Sequence, residues 1–292
     1  MKSKCIVIAI LLCVANLCAC SNVSNSILIV GSVESNSFHN AIVGEFNLST
    51  KFEKLNKENF ECTINGESVT GNYIETIISP YYNGDKDEFE AVGNDGKEIV
   101  FTVNTKTKEL VSYLIYYKSG YESKCDENSK KSYEECLQIA QNKLQEFDEG
   151  TYKQVREEQS LTAIKESSYG EVFYFYFVKV IDDKESNIIA GVTVNTDGLV
   201  IQLEVNLKYE FSDKDEILVK NYTQTDEELL EEIKNRLIPE LQCENMEDIS
   251  FEIYKKTFCK LKDGDVYIEC EVEISSAADE GSDYVRVLKK IS

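Results

Sequence analysis

Apolar and polar residues alternate with a period of two along two similar stretches of the chain, which predicts two β-hairpins. The first hairpin is expected within 98–117 and the second within 190–207. Both contain the tetrapeptide Thr-Val-Asn-Thr, which begins at Thr102 in the first and at Thr193 in the second. The copies lie about 90 residues apart, and this spacing indicates an internal duplication.

A helix-opening sequence follows each hairpin. Ser-Tyr-Glu-Glu lies at 132–135 and Thr-Asp-Glu-Glu at 225–228. In such a capping box the hydroxyl and the third-position carboxylate bind amides that the first helical turn leaves free. Apolar residues then recur at helical spacing, which predicts helices over 133–147 and 226–241.

Hairpins with alternating faces and single helices favour an α+β class, with antiparallel sheets that each carry a helix packed on one face. The predicted parts are a β-rich N-terminal region at 27–94, a unit with the repeated hairpins at 95–210, and a second unit at 211–292. The helix over 133–147 is expected to cover five apolar residues on one face of the second hairpin: Leu199, Ile201, Leu203, Val205 and Leu207.

The unit at 95–210 resembles the PepSY family in three stretches. These are Ser-Tyr-Glu-Glu-Cys-Leu-Gln-Ile-Ala at 132–140, Gly-Val-Thr-Val-Asn-Thr-Asp-Gly-Leu-Val at 191–200, and the related stretch at 101–113. Residues 225–291 resemble the family more weakly, so the resemblance implies tandem PepSY-like units. It also implies a non-catalytic module that binds a peptidase or another partner, and it carries over no catalytic residue.

The first residues look like a bacterial lipoprotein signal peptide. Two lysines near the start precede an apolar run at 5–15, which is shorter than a membrane span requires. Leu-Cys-Ala-Cys at 17–20 resembles the lipobox and makes Cys20 the expected lipidation site. We therefore expect a signal peptide at 1–19, a tether at 20–26, and a lipid anchor at the extracytoplasmic face of the cell membrane. Plain secretory cleavage and an uncleaved anchor are the alternatives.

The chain is strongly acidic, with a formal net charge of −22 at pH 7. Such a surface repels nucleic acid phosphates and anionic lipid headgroups, which argues against DNA or RNA binding. Solubility alone explains the charge, and attraction of Ca²⁺ or a cationic partner is the functional alternative. Acidic stretches at 85–88 and 213–216 lack the glycine and distal glutamate of an EF-hand loop, so no metal site is expected.

Neither a catalytic site nor a cofactor is expected from the sequence. His39 is the only histidine, so a Ser-His triad, a Cys-His dyad or a His-based zinc site would depend on it. It lies in a polar stretch without a neighbouring motif, and the sequence has no P-loop and no His-Glu-x-x-His. An enzyme would therefore need a pair of carboxylates that face one cleft.

Six cysteines follow Cys20, and an even number permits disulfides outside the cytoplasm. Cys259 and Cys270 flank a predicted turn at Asp263-Gly264, and they are the pair expected to meet across a hairpin. Cys136 lies on the apolar stripe of the first helix and is expected in the core.

The polar face of the second hairpin is the candidate surface for a protein partner. Gln202 and Glu204 lie on this face, and Tyr174 and Tyr176 on a neighbouring apolar run can join them. Tyrosines beside acids suit a protein interface, because Tyr provides large contact area at little rotamer cost. An ordinary hydrated sheet face is the alternative.

Two functions of different class are consistent with these patterns. The first is a membrane-anchored, non-catalytic binding module that modulates an extracytoplasmic peptidase or a membrane sensor. The second is a secreted hydrolase that depends on carboxylates alone.

Overall fold

The computed structural model describes most of the chain after residue 26. The described residues are 27–30, 33–34, 41–42, 50–78, 84–93, 96–123, 125–155, 161–205, 209–241, 249–276 and 282–291. The predicted signal peptide, the tether with Cys20, and His39 lie outside these ranges.

Most described residues are extended, as alternating β-branched and aromatic residues favour. The strands are β1 Ile27–Val30, β2 Val33–Glu34, β3 Ala41–Ile42, β4 Lys51–Glu53, β5 Phe60–Ile64, β6 Glu67–Ile78, β7 Lys86–Val92, β8 Lys97–Asn104, β9 Leu110–Tyr117, β10 Tyr152–Val155, β11 Ile164–Glu166, β12 Gly170–Ile181, β13 Lys184–Asn195, β14 Val200–Val205, β15 Ile249–Lys260, β16 Val266–Ser276 and β17 Ser282–Lys290.

The described chain forms three α-helices, α1 Tyr133–Gln145, α2 Asp213–Asn221 and α3 Asp226–Leu237, and single 3₁₀ turns at Glu127–Ser129 and Ile238–Glu240. Each α-helix begins with a complete capping box. The two predicted capping boxes are confirmed, whereas α2 was not predicted. The second predicted helix ends early, because Pro239 lies in the 3₁₀ turn that follows α3.

One mixed sheet of 15 strands contains almost all described strands. Its path is β1-β17-β16-β15-β13-β14-β9-β8-β7-β6-β4, with β12 on β13, β10 and β11 on β12, and β5 on β6, while β2 and β3 pair separately. The predicted α+β class of tandem units, each with its own antiparallel sheet and helix, is therefore wrong. The described protein is mostly β, and a single sheet runs through both predicted units.

Strand β13 explains why the sheet does not divide. It is 12 residues long and pairs with β12 from end to end. On its other edge Ala190 pairs with Val205 of β14, and Ser186 pairs in parallel with Phe258 of β15. A strand of this length reaches both neighbours, so the sheet continues from one predicted unit into the other.

The two predicted hairpins are present as β8–β9 and β13–β14, and they lie side by side. Their return strands pair with each other in antiparallel orientation, with Leu203 opposite Tyr113. The hairpins and their outer neighbours β7 and β12 therefore form six adjacent strands in the order β7-β8-β9-β14-β13-β12.

Helix α1 packs on β12, β13 and β14, on one face of these six strands. It contributes Cys136, Ala140 and Leu144 to a core that includes Leu203 and Val205. The prediction that this helix covers Leu203 and Val205 is therefore confirmed. The predicted core position of Cys136 is also confirmed, and burial raises the pKa of its thiol to about 11. Leu207 lies outside the described residues.

A second core lies where α2 and α3 pack on β15, β16 and β17. Leu229, Ile233 and Leu237 of α3 are fully buried there against the strands. These side chains are four residues apart, which is the spacing of one helical face.

The predicted pairing of Cys259 with Cys270 is not formed. Cys259 lies opposite Tyr267, whereas Cys270 lies opposite Lys256, because Lys260 pairs with Val266 at the end of the hairpin. The two cysteines are therefore three positions out of register and point to opposite faces. Cys270 belongs to the core under α3, and Cys259 belongs to a small cluster on the other face.

Candidate functional site

The sheet face opposite α1 is the candidate site, and we call it the open face. Tyr133 of α1 packs on Phe173 and Phe175, with ring centroids 5.6 and 5.4 Å apart. Successive residues of a strand point to opposite sides, so Tyr174 and Tyr176 must lie on the face that α1 does not cover. Tyr176 is 45% exposed, and Tyr174 is half-buried.

The four predicted partner residues lie together on this open face. Tyr174 and Gln202 occupy one cross-strand row, with Thr193 of β13 between them. Tyr176 and Glu204 occupy the next row, on either side of Gly191. Directly opposed residues of a sheet point to the same side, so the structure brings these four side chains into one surface.

Both rows continue across the first hairpin and become acidic. The row through Glu204 continues through Ser112, Thr102, Glu88 and Glu75. The row through Gln202 continues through Leu114, Val100, Glu90 and Asn72. Thr102 and Thr193 of the repeated tetrapeptide thus hold equivalent places on the open face, and the hydroxyls of Thr102 and Ser112 are 2.8 Å apart.

Two charged groups on the open face have shifted pKa values. Burial, together with the facing carboxylate of Glu75, raises the pKa of Glu88. Burial lowers the pKa of Lys86 to about 8, although the negative charge of Glu204 opposes this shift. The open face therefore contains closely spaced acids and a buried amine near the predicted residue Glu204.

A cleft of about 380 Å³ adjoins the open face where β12 and β13 meet β15, β16 and β17. Tyr176, Val178 and Ile189 line one wall. Thr257, Glu269 and Glu271 line the other wall, with Lys255 and Arg286 also among the lining residues. Tyr176 therefore belongs both to the predicted surface and to a cleft that the sequence did not predict.

The sequence offers only a weak signal for the far wall of this cleft. Polar residues occur at alternate positions 255, 257, 269 and 271, which indicates a polar strand face but not its neighbour. The walls meet through the pairing of Ser186 with Phe258, residues that no local pattern connects.

An exposed aromatic pair extends the surface beyond the cleft. Tyr254 is 66% exposed and Tyr284 is 50% exposed, and their rings make an edge-to-face contact with centroids 5.6 Å apart. Tyr284 lies on the same strand as Arg286, two positions away, and so points to the same side of β17. Sequence reasoning did not single out this pair.

Each of the two acidic stretches considered as a calcium site, 85–88 and 213–216, contains an aspartate that is bonded to a lysine. Asp215 caps α2 and accepts a hydrogen bond from Lys260 at 2.6 Å. Asp87 is buried and accepts one from Lys57 at 2.5 Å. Among the described residues there is no group of three or more His, Cys, Asp or Glu side chains placed to hold a metal ion.

Fold and surface together define the class as a mostly β protein with a broad acidic and aromatic sheet face. No family model matches the chain, and no curated protein matches it. One solved structure, the Bacillus megaterium YpeB C-terminal domain, aligns over 83% of this chain and 90% of its own, with 10% identity and a TM-score of 0.32. A similarity at this level assigns neither family nor function.

No helix among the described residues is both long and apolar enough to cross a bilayer.

Proposed function

We propose that this chain is a non-catalytic protein-binding module that docks a cationic partner on its open face. The observation that carries the proposal is the open face itself, where Tyr174 and Tyr176 stand beside Gln202 and Glu204 in two adjacent rows. Partly exposed tyrosines supply contact area, and the surrounding carboxylates supply charge complementarity.

The charge distribution supports a cationic partner. The whole chain has a formal net charge of −22, so its long-range field attracts positive surfaces. On the open face Glu88 and Glu75 oppose each other directly, and this repulsion is relieved when a positive group lies between them. An anionic partner would add to the repulsion instead.

The setting proposed for this binding is the outer face of the cell membrane. The support is the resemblance of 17–20 to a lipobox, which makes Cys20 the anchored residue. The PepSY-like stretches at 132–140 and 191–200 further favour a peptidase or a membrane sensor as the partner that the module modulates.

A hydrolase based on carboxylates has less support. It would need two carboxylates facing one cleft, one of them kept protonated. Glu269 and Glu271 do line one cleft, but Glu269 forms an ion pair with Arg286. The buried acids Asp87 and Asp215 lie outside this cleft and pair with Lys57 and Lys260. Glu88, whose pKa is raised by burial and by Glu75, lies on the open face and is not among the residues that line this cleft.

Site-specific photo-crosslinking tests the docking surface. A photoreactive residue at Gln202 on the open face should crosslink one membrane-associated protein, and that protein, once purified, should bind the chain directly. The matched control is the same residue at Ile217, which is exposed on α2 away from the open face. Equal crosslinking from both positions would contradict docking on this face.

Mass spectrometry of the mature N-terminus tests the anchor separately. The expected species begins at Cys20 with a lipid on its thiol and partitions into detergent. A soluble species with an unmodified Cys20 would exclude the anchor but leave the docking proposal standing.

A further inference from the structure

The cleft beside Tyr176 contains a buried polar group that the protein leaves unsatisfied. Asn187 lines the cleft and is 3% exposed, and its Oδ1 has no hydrogen-bond partner among the described residues. Its Nδ2 donates to Glu269 Oε2 at 3.5 Å, which is the long limit of a hydrogen bond. Buried acceptors are normally paired, so this oxygen calls for a donor that a ligand can supply.

Acceptors lie deep in the cleft, and cations lie at its rim. Glu269 is 9% exposed and shares the deep part with Asn187 and Thr257. The Arg286 side chain is 39% exposed and forms an ion pair of 3.4 Å with Glu269. Lys255 is exposed on the opposite side of Glu271 from Arg286. The deep part of the cleft therefore favours a hydrogen-bond donor with positive charge.

The opposite wall provides an apolar path to these acceptors. Val178 and Ile189 pair across β12 and β13, and both line the cleft together with Tyr176 and Val155. An aliphatic chain can lie along such a wall while its charged end reaches the polar groups.

We propose that this cleft binds a lysine or arginine side chain of the docked partner. The charged group donates to Asn187 Oδ1 and to Glu269, and the aliphatic stem packs on Val178 and Ile189. The inference rests on the proposed function only for the source of the side chain. A carboxylate ligand would face Glu269, and a purely apolar ligand would leave Asn187 Oδ1 unsatisfied.

Short blocked peptides test the inference on the full chain without the partner. The probes are acetyl-Ala-Ala-Lys-Ala-Ala-amide and matched peptides with norleucine or glutamate in place of lysine, with Kd measured by NMR titration. The lysine peptide should bind at least about tenfold more tightly than the norleucine peptide, because norleucine cannot form the charge-assisted hydrogen bond to the buried acceptors. Equal affinity for lysine and norleucine would overturn the proposal.

Two variants should change the affinity for the lysine peptide in opposite directions. Glu269→Gln removes the buried charge and should weaken binding by about tenfold. Arg286→Gln removes the internal cation that competes for Glu269 and should tighten binding several-fold. A weaker complex for Arg286→Gln would contradict the assigned role of Glu269.

A matched pair of variants tests the role of Asn187 Oδ1. Asn187→Leu should abolish the preference for lysine over norleucine, and Asn142→Leu on the exposed side of α1 should leave it unchanged. If Asn187→Leu fails to fold, Arg286→Gln decides the outcome, because Arg286 lies at the rim.

The outcomes for the cleft and for the open face are separable. Partner binding that depends on Tyr174, without any preference for the lysine peptide, would refute the cleft site and leave the proposed function intact. A lysine preference without partner binding to the open face would support the cleft site and refute the docking proposal.

Discussion

At the scale of single residues, the turn of the first repeated hairpin carries backbone strain that the second avoids. Lys108 has φ of 61°, and Gly198 holds the corresponding last position of the second turn with φ of 87°. Each precedes the residue whose carbonyl oxygen accepts the closing hydrogen bond, from Asn104 in one hairpin and from Asn195 in the other. The left-handed region costs a residue with a Cβ more than it costs glycine.

Lys108→Gly should therefore be more stable than Lys108→Ala. Both variants lose the ammonium group near Asp87, so their difference isolates the backbone strain. We expect the free energy of unfolding of the glycine variant to be higher by roughly 1 kcal/mol, measured by urea denaturation. An alanine variant as stable as the glycine variant would show that the turn carries no strain.

Glu88 provides a pH-dependent test of the open face. Its pKa is raised in the folded protein by burial and by Glu75, so the fold binds this proton more tightly than the unfolded chain does. Ionisation of Glu88 therefore destabilises the fold at neutral pH, and this cost disappears as the pH falls below the unfolded-state pKa of about 4.3.

Glu88→Gln should raise the free energy of unfolding at pH 7 by roughly 0.2–1 kcal/mol, because like charges no longer face each other. The gain should vanish below about pH 4. Glu90→Gln is the control, since Glu90 lies opposite Asn72 instead of a second acid. A gain for Glu88→Gln that does not change with pH would contradict the charge explanation.

At the scale of elements, the capping boxes differ in whether their acidic residue also bonds to a strand. Asp215 accepts hydrogen bonds from the backbone nitrogen and the hydroxyl of Ser212, and also from Lys260 of β15. Burial raises its pKa, but the hydrogen bonds from Lys260 and Ser212 outweigh burial and hold the pKa below its ordinary value. Glu228 caps α3 without any such bond to a strand in the described contacts.

Asp215→Ala should consequently cost more stability than Glu228→Ala. We expect a loss of roughly 2–4 kcal/mol for Asp215→Ala, and about 1 kcal/mol for Glu228→Ala. Because the pKa of Asp215 is lowered, its contribution should be lost as the pH falls through the folded-state pKa. Equal losses in thermal denaturation at pH 7 would show that the bond to Lys260 contributes nothing.

The elements that the sequence predicted are those with local signals. Capping at Ser132 and Thr225, and alternation in β8 and β13, involve residues close together in the chain. The sequence did not predict α2, which has only 9 residues and whose first-turn acids also resemble the acidic alternation of a calcium loop. Short helices rarely reveal themselves by periodicity, so a cap is their main sequence signal.

At the scale of the whole molecule, the continuity of the sheet was not predictable from the sequence. It depends on the pairing of β9 with β14 and of β13 with β15, which join residues far apart in the chain. Register between such strands follows from packing and not from a local pattern. The sequence placed Tyr174, Tyr176, Gln202 and Glu204 on one surface. It missed the cleft wall with Thr257 and Glu269, because the position of that wall depends on one of these long-range pairings.

The net charge of the molecule leads to a prediction about association. If a cationic partner docks on the open face, added salt should weaken binding mainly by slowing association, because screening removes long-range attraction. Stopped-flow kinetics at low and high ionic strength measure this. An association rate that does not change with salt would contradict the cationic partner.

The affinity of the purified partner for a chain with Tyr174→Ala and Tyr176→Ala tests docking on the open face most directly. Calorimetry on this double variant should show a loss of about tenfold or more, since aromatic side chains at interface centres carry much of the binding energy. Ile217→Ala, an exposed apolar truncation on α2, should bind like the unaltered chain. Unchanged affinity in a correctly folded double variant would contradict docking through the open face.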